Sequence, residues 1–281
     1  MENTNKSAGI LAMAATAFLW SIAGLFIKVI DWNPIAIAGM RSFIASIVIL
    51  IYLKRPVIHF SFPQIAAAVA NAATMLLFVS ANKTTTAANA IILQYIAPVS
   101  TAFIGAFLLK ERTRIEHYAA IPVVAAGMIV MFFDELGGGR LFGNILAVMS
   151  AITFGFYFVF MRMQKDGSPL ESILLSHWLT SGICIIISLF LPVPHVAAKS
   201  LVAIAVLGIV QVGISSVLFS FAIKRISAVS AILIAVIEPV FNPIWVFFAI
   251  GEFPGTYALA GGGTIVLAVT IASIINAHRR E

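Results

Sequence analysis

The chain alternates between long apolar stretches and short polar connections. Each apolar stretch is close to the length of about 20 residues that an α-helix needs to cross a bilayer, and the connections are too short to hold a soluble domain. The pattern therefore predicts ten membrane-spanning helices, which we number spans 1 to 10 in chain order. They cover residues 8–28, 34–53, 63–82, 86–108, 115–133, 141–162, 170–191, 200–222, 228–249 and 255–277.

The amino-acid composition is that of a membrane protein. Apolar residues make up 61% of the chain and charged residues 10%, and the mean hydropathy is +1.07, whereas soluble domains are roughly 45–50% apolar and about 25% charged. A single cysteine, Cys184, excludes an internal disulfide. Lys6 precedes span 1 as in a signal peptide, but span 1 is longer than a signal-peptide core and nine spans follow, so we interpret it as uncleaved.

The basic residues predict the orientation. If the N-terminus is cytoplasmic, 12 of the 17 Lys and Arg residues fall on the inner side and 4 on the outer side, while Arg41 lies inside span 2. Cytoplasmic connections are the ones enriched in Lys and Arg, so we expect both termini on the cytoplasmic side of the cytoplasmic (inner) membrane. The net charge of +6 is then a topology signal, and we expect no nucleic-acid partner.

Spans 4 and 9 are similar in sequence. Residues 87–111 align with residues 228–252 at an offset of 141. At an offset of 134, Gly9 meets Gly143 and Lys28 meets Arg162. We therefore predict two halves of five spans each, residues 1–138 and residues 139–281. The pairs matched at the offset of 141 include Lys83 with Lys224, Ala87 with Ala228, Pro98 with Pro239, Val99 with Val240 and Glu111 with Glu252.

An odd number of spans in each half predicts the direction of the second half. Because five is odd, the second half enters the membrane from the opposite side, so the two repeats are inverted. Inverted repeats are a recognised basis for alternating access in transporters. The predicted fold is an all-α membrane protein with ten transmembrane helices in two inverted five-helix repeats.

These features resemble the drug/metabolite transporter superfamily, in particular its EamA-type ten-helix family. The resemblance rests on a proline near the centre of spans 4 and 9 with a glutamate at the end of each (YIAPV to LLKE, IEPV to IGE), and on Trp20, Arg41, Asn33 and Pro34. It covers essentially the whole chain. It implies a carrier of small organic molecules, often an exporter of amino acids or related metabolites, with its pathway between the halves.

Glu238 and its neighbours predict a cavity in span 9. Glu238 lies about ten residues into the span, roughly 15 Å along the helix, near the middle of a hydrocarbon core about 30 Å thick. Transporters bind substrates and coupling ions at that depth. Pro239 and Pro243, like Pro98 in span 4, are expected to kink their helices. A broken helix at this depth must face protein or a water-filled cavity, and Asn242 lies beside the break.

Two charged residues inside the spans have alternative roles. Glu238 could bind a substrate ammonium group, could load and release a proton, or could hold a neighbouring helix as a neutral carboxyl. Arg41 could clamp a substrate carboxylate, or could snorkel outward or satisfy carbonyl groups of a broken helix. We favour the structural role for Arg41, because it lies only about 10 Å from the outer end of span 2. If both residues faced one cavity, they would suit a zwitterion.

Further substrate-binding candidates are polar or aromatic residues inside the spans. Each polar one alone is readily explained as an interhelical hydrogen bond, and aromatic residues near span ends are often interface anchors. Together they come from the helices that the resemblance places around the pathway. The polar candidates are Asn71, Gln94, Tyr95, His177, Gln211 and Ser215, with Thr74 and Ser216 as weaker ones. The aromatic candidates are Trp20, Trp178 and Phe241, with Tyr157 and Trp245 as weaker ones.

An enzyme and a channel are the function classes that compete with a transporter. The chain has no GxxxxGK, HExxH, GxSxG or CxxC motif, so we expect no enzyme, no metal and no cofactor. Channels often repeat pore-lining rings around a symmetry axis, whereas this chain has one unmatched glutamate, Glu238.

We therefore expect a secondary transporter that acts as a monomer in the lipid bilayer. Its partners would be a small-molecule substrate and protons. Efflux of amino acids or related compounds is the favoured activity. A carrier of drugs, organic cations or nucleosides with the same fold is the alternative, and a passive channel is a further one.

Overall fold

The protein is all-helical wherever its backbone is described. The structure is a computed structural model that describes residues 2–109, 122–123, 126–127, 129–130, 140–167, 169–192, 196–235, 237–253 and 255–278. No strand occurs among these residues. Eight helices in this part of the chain are long and apolar enough to cross a membrane. The predicted class, an all-α protein that crosses the membrane many times, is confirmed.

Most predicted spans are single helices. Span 10 is helical as well, with a continuous apolar stretch at Leu259–Ala268. Most of span 5, the predicted boundary at residues 138 and 139, and Glu111 lie outside the described residues. The unbroken spans are span 2 (Pro34–Leu53), span 3 (Phe62–Thr84), span 6 (Leu141–Met163), span 7 (Pro169–Ser188), span 8 (Ala198–Ile223) and span 10 (Thr256–His278).

Three spans are broken into two helices. In spans 4 and 9 the second helix carries the matched proline in its first turn, at Pro98 and Pro239. Proline is tolerated there because the first amide groups of a helix have no partner within it. Pro243, in contrast, lies inside the second helix of span 9. The broken spans are span 1 (Glu2–Trp20, Ala23–Val29), span 4 (Ala87–Gln94, Ala97–Leu108) and span 9 (Ala228–Ile234, Ile237–Ile250).

Span 8 contains a π-helix at Leu207–Ile214. Two glycines let this segment approach span 2 closely. A Cβ at Gly208 would lie 2.5 Å from the Cβ of Ile44, and a Cβ at Gly213 would lie 2.9 Å from the Cβ of Val48. π-Helical turns occur frequently at functional sites, and this one packs against span 2, which carries Arg41.

The helices of the two predicted halves interlock. Span 3 packs against spans 6 and 7, span 2 packs against spans 7 and 8, and span 1 packs against span 8. The broken spans follow the same arrangement, since span 4 packs on span 6 and span 9 packs on span 1. The buried core therefore lies between the halves.

One close helix contact occurs twice. A Cβ at Gly9 would lie 2.7 Å from the Cβ of Arg225 in the connection after span 8, and a Cβ at Gly143 would lie 2.8 Å from the backbone nitrogen of Thr85 after span 3. Gly9 and Gly143 are matched residues at the offset of 134, and the segments that they face are matched at the offset of 141. In the first contact the first half supplies the glycine and the second half the segment that it faces; in the second contact the assignment is reversed.

Candidate functional site

A cavity lies between the two halves and receives side chains from eight of the ten predicted spans. Polar and aromatic residues dominate its wall, although it is surrounded by apolar helices. Seven of the predicted site residues lie on it. The lining residues are Trp20, Arg41, Asn71, Thr74, Met75, Phe78, Gln94, Phe154, Tyr157, His177, Gln211, Val212, Ser216 and Glu238.

Arg41 and Glu238 both line this cavity. Arg41 is 1% exposed and Glu238 is 6% exposed. The Arg41 guanidinium donates through Nη2 to the Met75 sulfur at 3.0 Å, and its Nε has no partner. Within the described part of the chain, no ion pair joins Arg41 to Glu238. Arg41 therefore does not snorkel to the membrane surface, and its planar charged group belongs to the cavity.

Span 9 presents Glu238 at the start of its second helix. The first helix ends at Ile234 and a turn follows at Ala235, and Glu238 occupies the first turn of Ile237–Ile250. Its own amide group donates to the carbonyl oxygen of Ala235 at 2.9 Å. The positive end of a helix dipole stabilises a carboxylate in the first turn. The proline-linked break thus sets both the place and the electrostatic surroundings of the acid.

Two amide side chains tie spans together at the cavity wall. Asn71 donates through Nδ2 to Ser176 Oγ at 2.7 Å and so joins spans 3 and 7. Gln94 donates through Nε2 to Ser150 Oγ at 2.8 Å and joins spans 4 and 6. Both residues therefore make the interhelical bonds that were one of the expected alternatives, and both also face the cavity.

An aromatic wall closes one side of the cavity. Trp20 and Phe154 have ring centroids 5.7 Å apart and are matched residues at the offset of 134. The indole nitrogen of Trp20 donates to Ser215 Oγ at 2.9 Å, which holds the ring in place. Tyr157 stacks on Phe154 with a centroid distance of 6.1 Å. Such rings offer π faces to a cation or apolar surface to a hydrocarbon.

Several buried polar atoms at the cavity have no hydrogen-bond partner. They are Nε of Arg41, Oδ1 of Asn71, both ring nitrogens of His177 and Oε1 of Gln211. Leaving a buried polar group unsatisfied costs about 1–3 kcal/mol, so such groups are uncommon in native proteins. Their clustering around one cavity makes it the candidate site for a ligand with its own donors and acceptors.

The remaining five predicted site residues lie elsewhere. Trp178 is 40% exposed, since it follows His177 and a one-residue step turns the side chain by about 100° around the helix. Phe241 stacks on Trp245 at 5.8 Å. The other three are buried in helix contacts: Tyr95 donates to the carbonyl oxygen of Ile232, Asn242 packs on Gly24, and Ser215 accepts from Trp20.

Four lining residues were not among the candidates: Met75, Phe78, Phe154 and Val212. Helical spacing could have found the first two, because they follow Asn71 by four and seven residues and so share its face. The repeat could have found Phe154, the matched residue of Trp20. Val212 lies within the π-helix, whose register the sequence does not reveal.

A polar network joins three segments at one end of the bundle. Lys28 Nζ lies 3.2 Å from Glu252 Oε2 and donates to the carbonyl oxygen of Thr85 at 2.8 Å. Glu252 Oε1 accepts from the amide of Ala87 at 2.7 Å. Lys83 Nζ donates to the carbonyl oxygen of Ile30 at 2.5 Å. The network connects the ends of spans 1 and 9 to the connection between spans 3 and 4.

Matched residues make a similar network in the second half. Arg162, the counterpart of Lys28, donates to the carbonyl oxygen of Ile223 at 2.8 Å. Lys224, the counterpart of Lys83, donates to the carbonyl oxygen of Gly167 at 3.2 Å. Basic side chains on backbone carbonyl groups thus tie spans together in both halves.

The described residues contain no group of three or more His, Cys, Asp or Glu side chains that could hold a metal ion. The chemistry of the cavity wall is that of charge, hydrogen bonds and aromatic faces.

The chain is similar to known proteins over nearly its whole length. The sequence model of the EamA-like transporter family matches residues 7–133 and again residues 141–274. A protein of Archaeoglobus fulgidus described as an uncharacterized transporter is 27% identical over 267 residues, which is 94% of this chain and 96% of that protein. A crystal structure of a protein at 20% identity superposes with a TM-score of 0.74 and covers 98% of this chain and 99% of the other.

Proposed function

The chain belongs to the EamA-like transporter family, and we propose that it carries small zwitterionic metabolites, amino acids or related compounds, across the cytoplasmic membrane. The observation that carries this proposal is that Arg41 and Glu238 line the same cavity without pairing to each other.

The wall provides complementary groups for both ends of a zwitterion. The Arg41 guanidinium can hold a carboxylate through two parallel hydrogen bonds, and Glu238 can hold an ammonium group. Burying a charge is costly unless an opposite charge and hydrogen bonds compensate for it. A bound zwitterion supplies the compensation to both residues at once, which a purely anionic or purely cationic ligand does not.

We propose that transport proceeds by alternating access between two inverted halves. The recurrence of the Gly9 contact at Gly143, with the halves exchanged, supports a twofold relation between them. Trp20 and Phe154, matched residues that touch across the cavity, support a binding site on that axis. The networks around Lys28 and Arg162 would then close the pathway in turn.

Glu238 is also proposed to couple transport to protons. When the substrate ammonium leaves, an isolated carboxylate inside an apolar span is costly, and proton uptake removes the charge. Exchange of a substrate for a proton at this residue lets the inward proton gradient drive efflux.

An organic-cation carrier is the second candidate. The aromatic wall of Trp20, Phe154 and Tyr157 beside Glu238 favours it, since aromatic faces and a carboxylate together attract cations. Arg41 in the same cavity weakens it, because a cationic ligand would leave that guanidinium without a counter-charge.

Counterflow in proteoliposomes tests the proposal. The purified protein is reconstituted and loaded in turn with each of the twenty common amino acids, and uptake of the same labelled amino acid is followed with and without a pH gradient. Saturable counterflow of at least one amino acid is expected, and an acidic interior should drive net uptake of the same amino acid into proteoliposomes that contain no internal substrate. Counterflow of organic cations alone would support the second candidate, and single-channel current steps would contradict a carrier.

A further inference from the structure

We infer that the cavity selects its substrate through the N–H bonds of the ammonium group, so that a fully N-methylated betaine is excluded. This inference rests on the proposed function and deepens it. It follows from which hydrogen atoms at the cavity wall are already engaged by the protein.

The hydrogen bonds of Ser176 fix the orientation of the Asn71 amide. Ser176 Oγ donates its single hydrogen to the carbonyl oxygen of Ile173 at 2.7 Å, so it can only accept from Asn71. The contact of 2.7 Å between Asn71 and Ser176 must therefore come from the amide nitrogen. Oδ1, which is buried without a partner, is the group that Asn71 leaves for a ligand.

Gln94 also bonds to a serine, from span 4. Its Nε2 donates to Ser150 Oγ at 2.8 Å, and the Ser150 hydroxyl lies 3.4 Å from the carbonyl oxygen of Thr74. This second contact is longer than an ordinary O–H···O hydrogen bond, so it does not fix the Gln94 amide as the Ser176 contact fixes Asn71. The inference therefore rests on Asn71 and not on Gln94.

Other donors at the wall are engaged in the same way. The indole N–H of Trp20 donates a hydrogen bond to Ser215 Oγ, and the Ser216 hydroxyl donates to the carbonyl oxygen of Val212 at 2.6 Å. Gln211 adds a buried Oε1 without a partner. Apart from Arg41, Tyr157, His177 and the amide nitrogen of Gln211, the polar groups lining the cavity are mainly hydrogen-bond acceptors.

An acceptor-rich wall around a carboxylate discriminates between ammonium groups. A primary ammonium brings three N–H donors and can satisfy Glu238 together with amide oxygens such as those of Asn71 and Gln211. A trimethylammonium brings the same charge to Glu238 and the aromatic rings but has no N–H, so the amide oxygens stay buried and unpaired. Sites built to bond a substrate group reject analogues that lack it strongly, and we expect at least about tenfold weaker binding.

The test compares two derivatives with their parent, the primary amino acid that gives the fastest counterflow among the twenty. The parent has a primary ammonium; the N-isopropyl derivative adds three carbons and keeps two N–H bonds; the N,N,N-trimethyl derivative adds three carbons and keeps none. Each competes with the labelled parent. The expected order of affinity is parent, N-isopropyl, trimethyl, with the trimethyl compound at least about tenfold weaker than the N-isopropyl compound.

Equal competition by the N-isopropyl and trimethyl derivatives would overturn the inference, whether both are strong or both are weak, because bulk or charge alone would then explain the selectivity. The proposed function would stand, since the parent is still transported. Counterflow of none of the twenty amino acids would instead overturn the proposed function, and the inference with it.

A variant locates the effect in the wall. Gln211→Met replaces the amide with an apolar side chain of similar length. It should reduce the ratio between the N-isopropyl and trimethyl affinities by several-fold and should also weaken binding of the parent, which loses one hydrogen bond. An unchanged ratio in a variant that still transports the parent would contradict the assignment of Gln211 as one of the acceptors.

Discussion

The ammonium group of Lys28 lies 3.2 Å from the carboxylate of Glu252, and the same carboxylate accepts the amide hydrogen of Ala87 at 2.7 Å. One acid at the end of span 9 thereby holds both the end of span 1 and the start of span 4. In the proposed alternating-access cycle these three segments separate when that end opens, so the pair would stabilise the closed state.

Neutralising Glu252 is expected to open this end more often. In a Cys184→Ala background, Ala88→Cys places a thiol at a buried position beside Ala87. With Glu252→Gln, a membrane-impermeant maleimide should label that thiol several-fold faster, since the carboxylate no longer holds Lys28. The control is Lys165→Met, which removes the exposed pair of Lys165 and Asp166 and should leave labelling unchanged. Equal labelling rates with and without the Glu252→Gln substitution would argue against closure by this pair.

Glu238→Gln is expected to separate binding from proton coupling. The amide keeps the size of the side chain but binds no proton, so an inward proton gradient should no longer accelerate efflux. Loss of the charge should also raise the KM for a zwitterion by about tenfold or more. Counterflow measures KM, and net uptake driven by a pH gradient measures the coupling, with Trp178→Phe on the exposed face of span 7 as the control. A pH response equal to that of the unmodified protein would leave Glu238 as a packing residue.

Trp20→Leu is expected to weaken substrate binding. The change removes the ring that faces Phe154 across the cavity and its bond to Ser215, and we expect KM to rise about tenfold with a smaller change in maximal rate. Trp245→Leu is the matched control, because Trp245 lies outside the cavity wall, stacked on Phe241. Equal effects of the two substitutions on KM would refute the assignment of Trp20 to the binding site.

Gly143→Ala is expected to destabilise the fold. The added Cβ would lie 2.8 Å from the backbone nitrogen of Thr85, and overpacking of this kind costs roughly 1–3 kcal/mol. Gly182→Ala in span 7 is the control, since a Cβ there meets nothing within 4 Å and alanine favours a helix by up to about 1 kcal/mol. Thermal unfolding in detergent should lower Tm for the first variant and keep or raise it for the second.

The sequence predicts the helices better than the surroundings of their side chains. Apolar length alone places span 2 at residues 34–53, the same bounds as the helix Pro34–Leu53, because lipid requires a continuous stretch of that length. Glu238 is recognisable as a cavity residue because a carboxylate inside the membrane is costly and therefore faces the protein interior or a water-filled cavity.

Orientation around the helix axis is harder to predict. Tyr95, Trp178 and Phe241 were candidates because they lie inside predicted spans, but they do not line the cavity, since a position along a span does not determine which way a ring points. In a membrane protein both lipid-facing and protein-facing sides are apolar, so the periodicity that reveals a buried face in soluble helices is weak. The π-helix at Leu207–Ile214 adds a change of register that no residue pattern signals.

Trp20 and Phe154 are matched residues of the two halves, and the contact between their rings has an evolutionary consequence. An ancestor consisting of one half would have dimerised to form the same cavity, and every wall residue would have occurred twice, as two tryptophans or two phenylalanines. Fusion of the duplicated genes would have freed the copies to diverge, and today Glu238 lines the cavity while its counterpart is Ala97. The proposed zwitterion site, with a single acid and a single base in one cavity, could have arisen only after the halves shared one polypeptide.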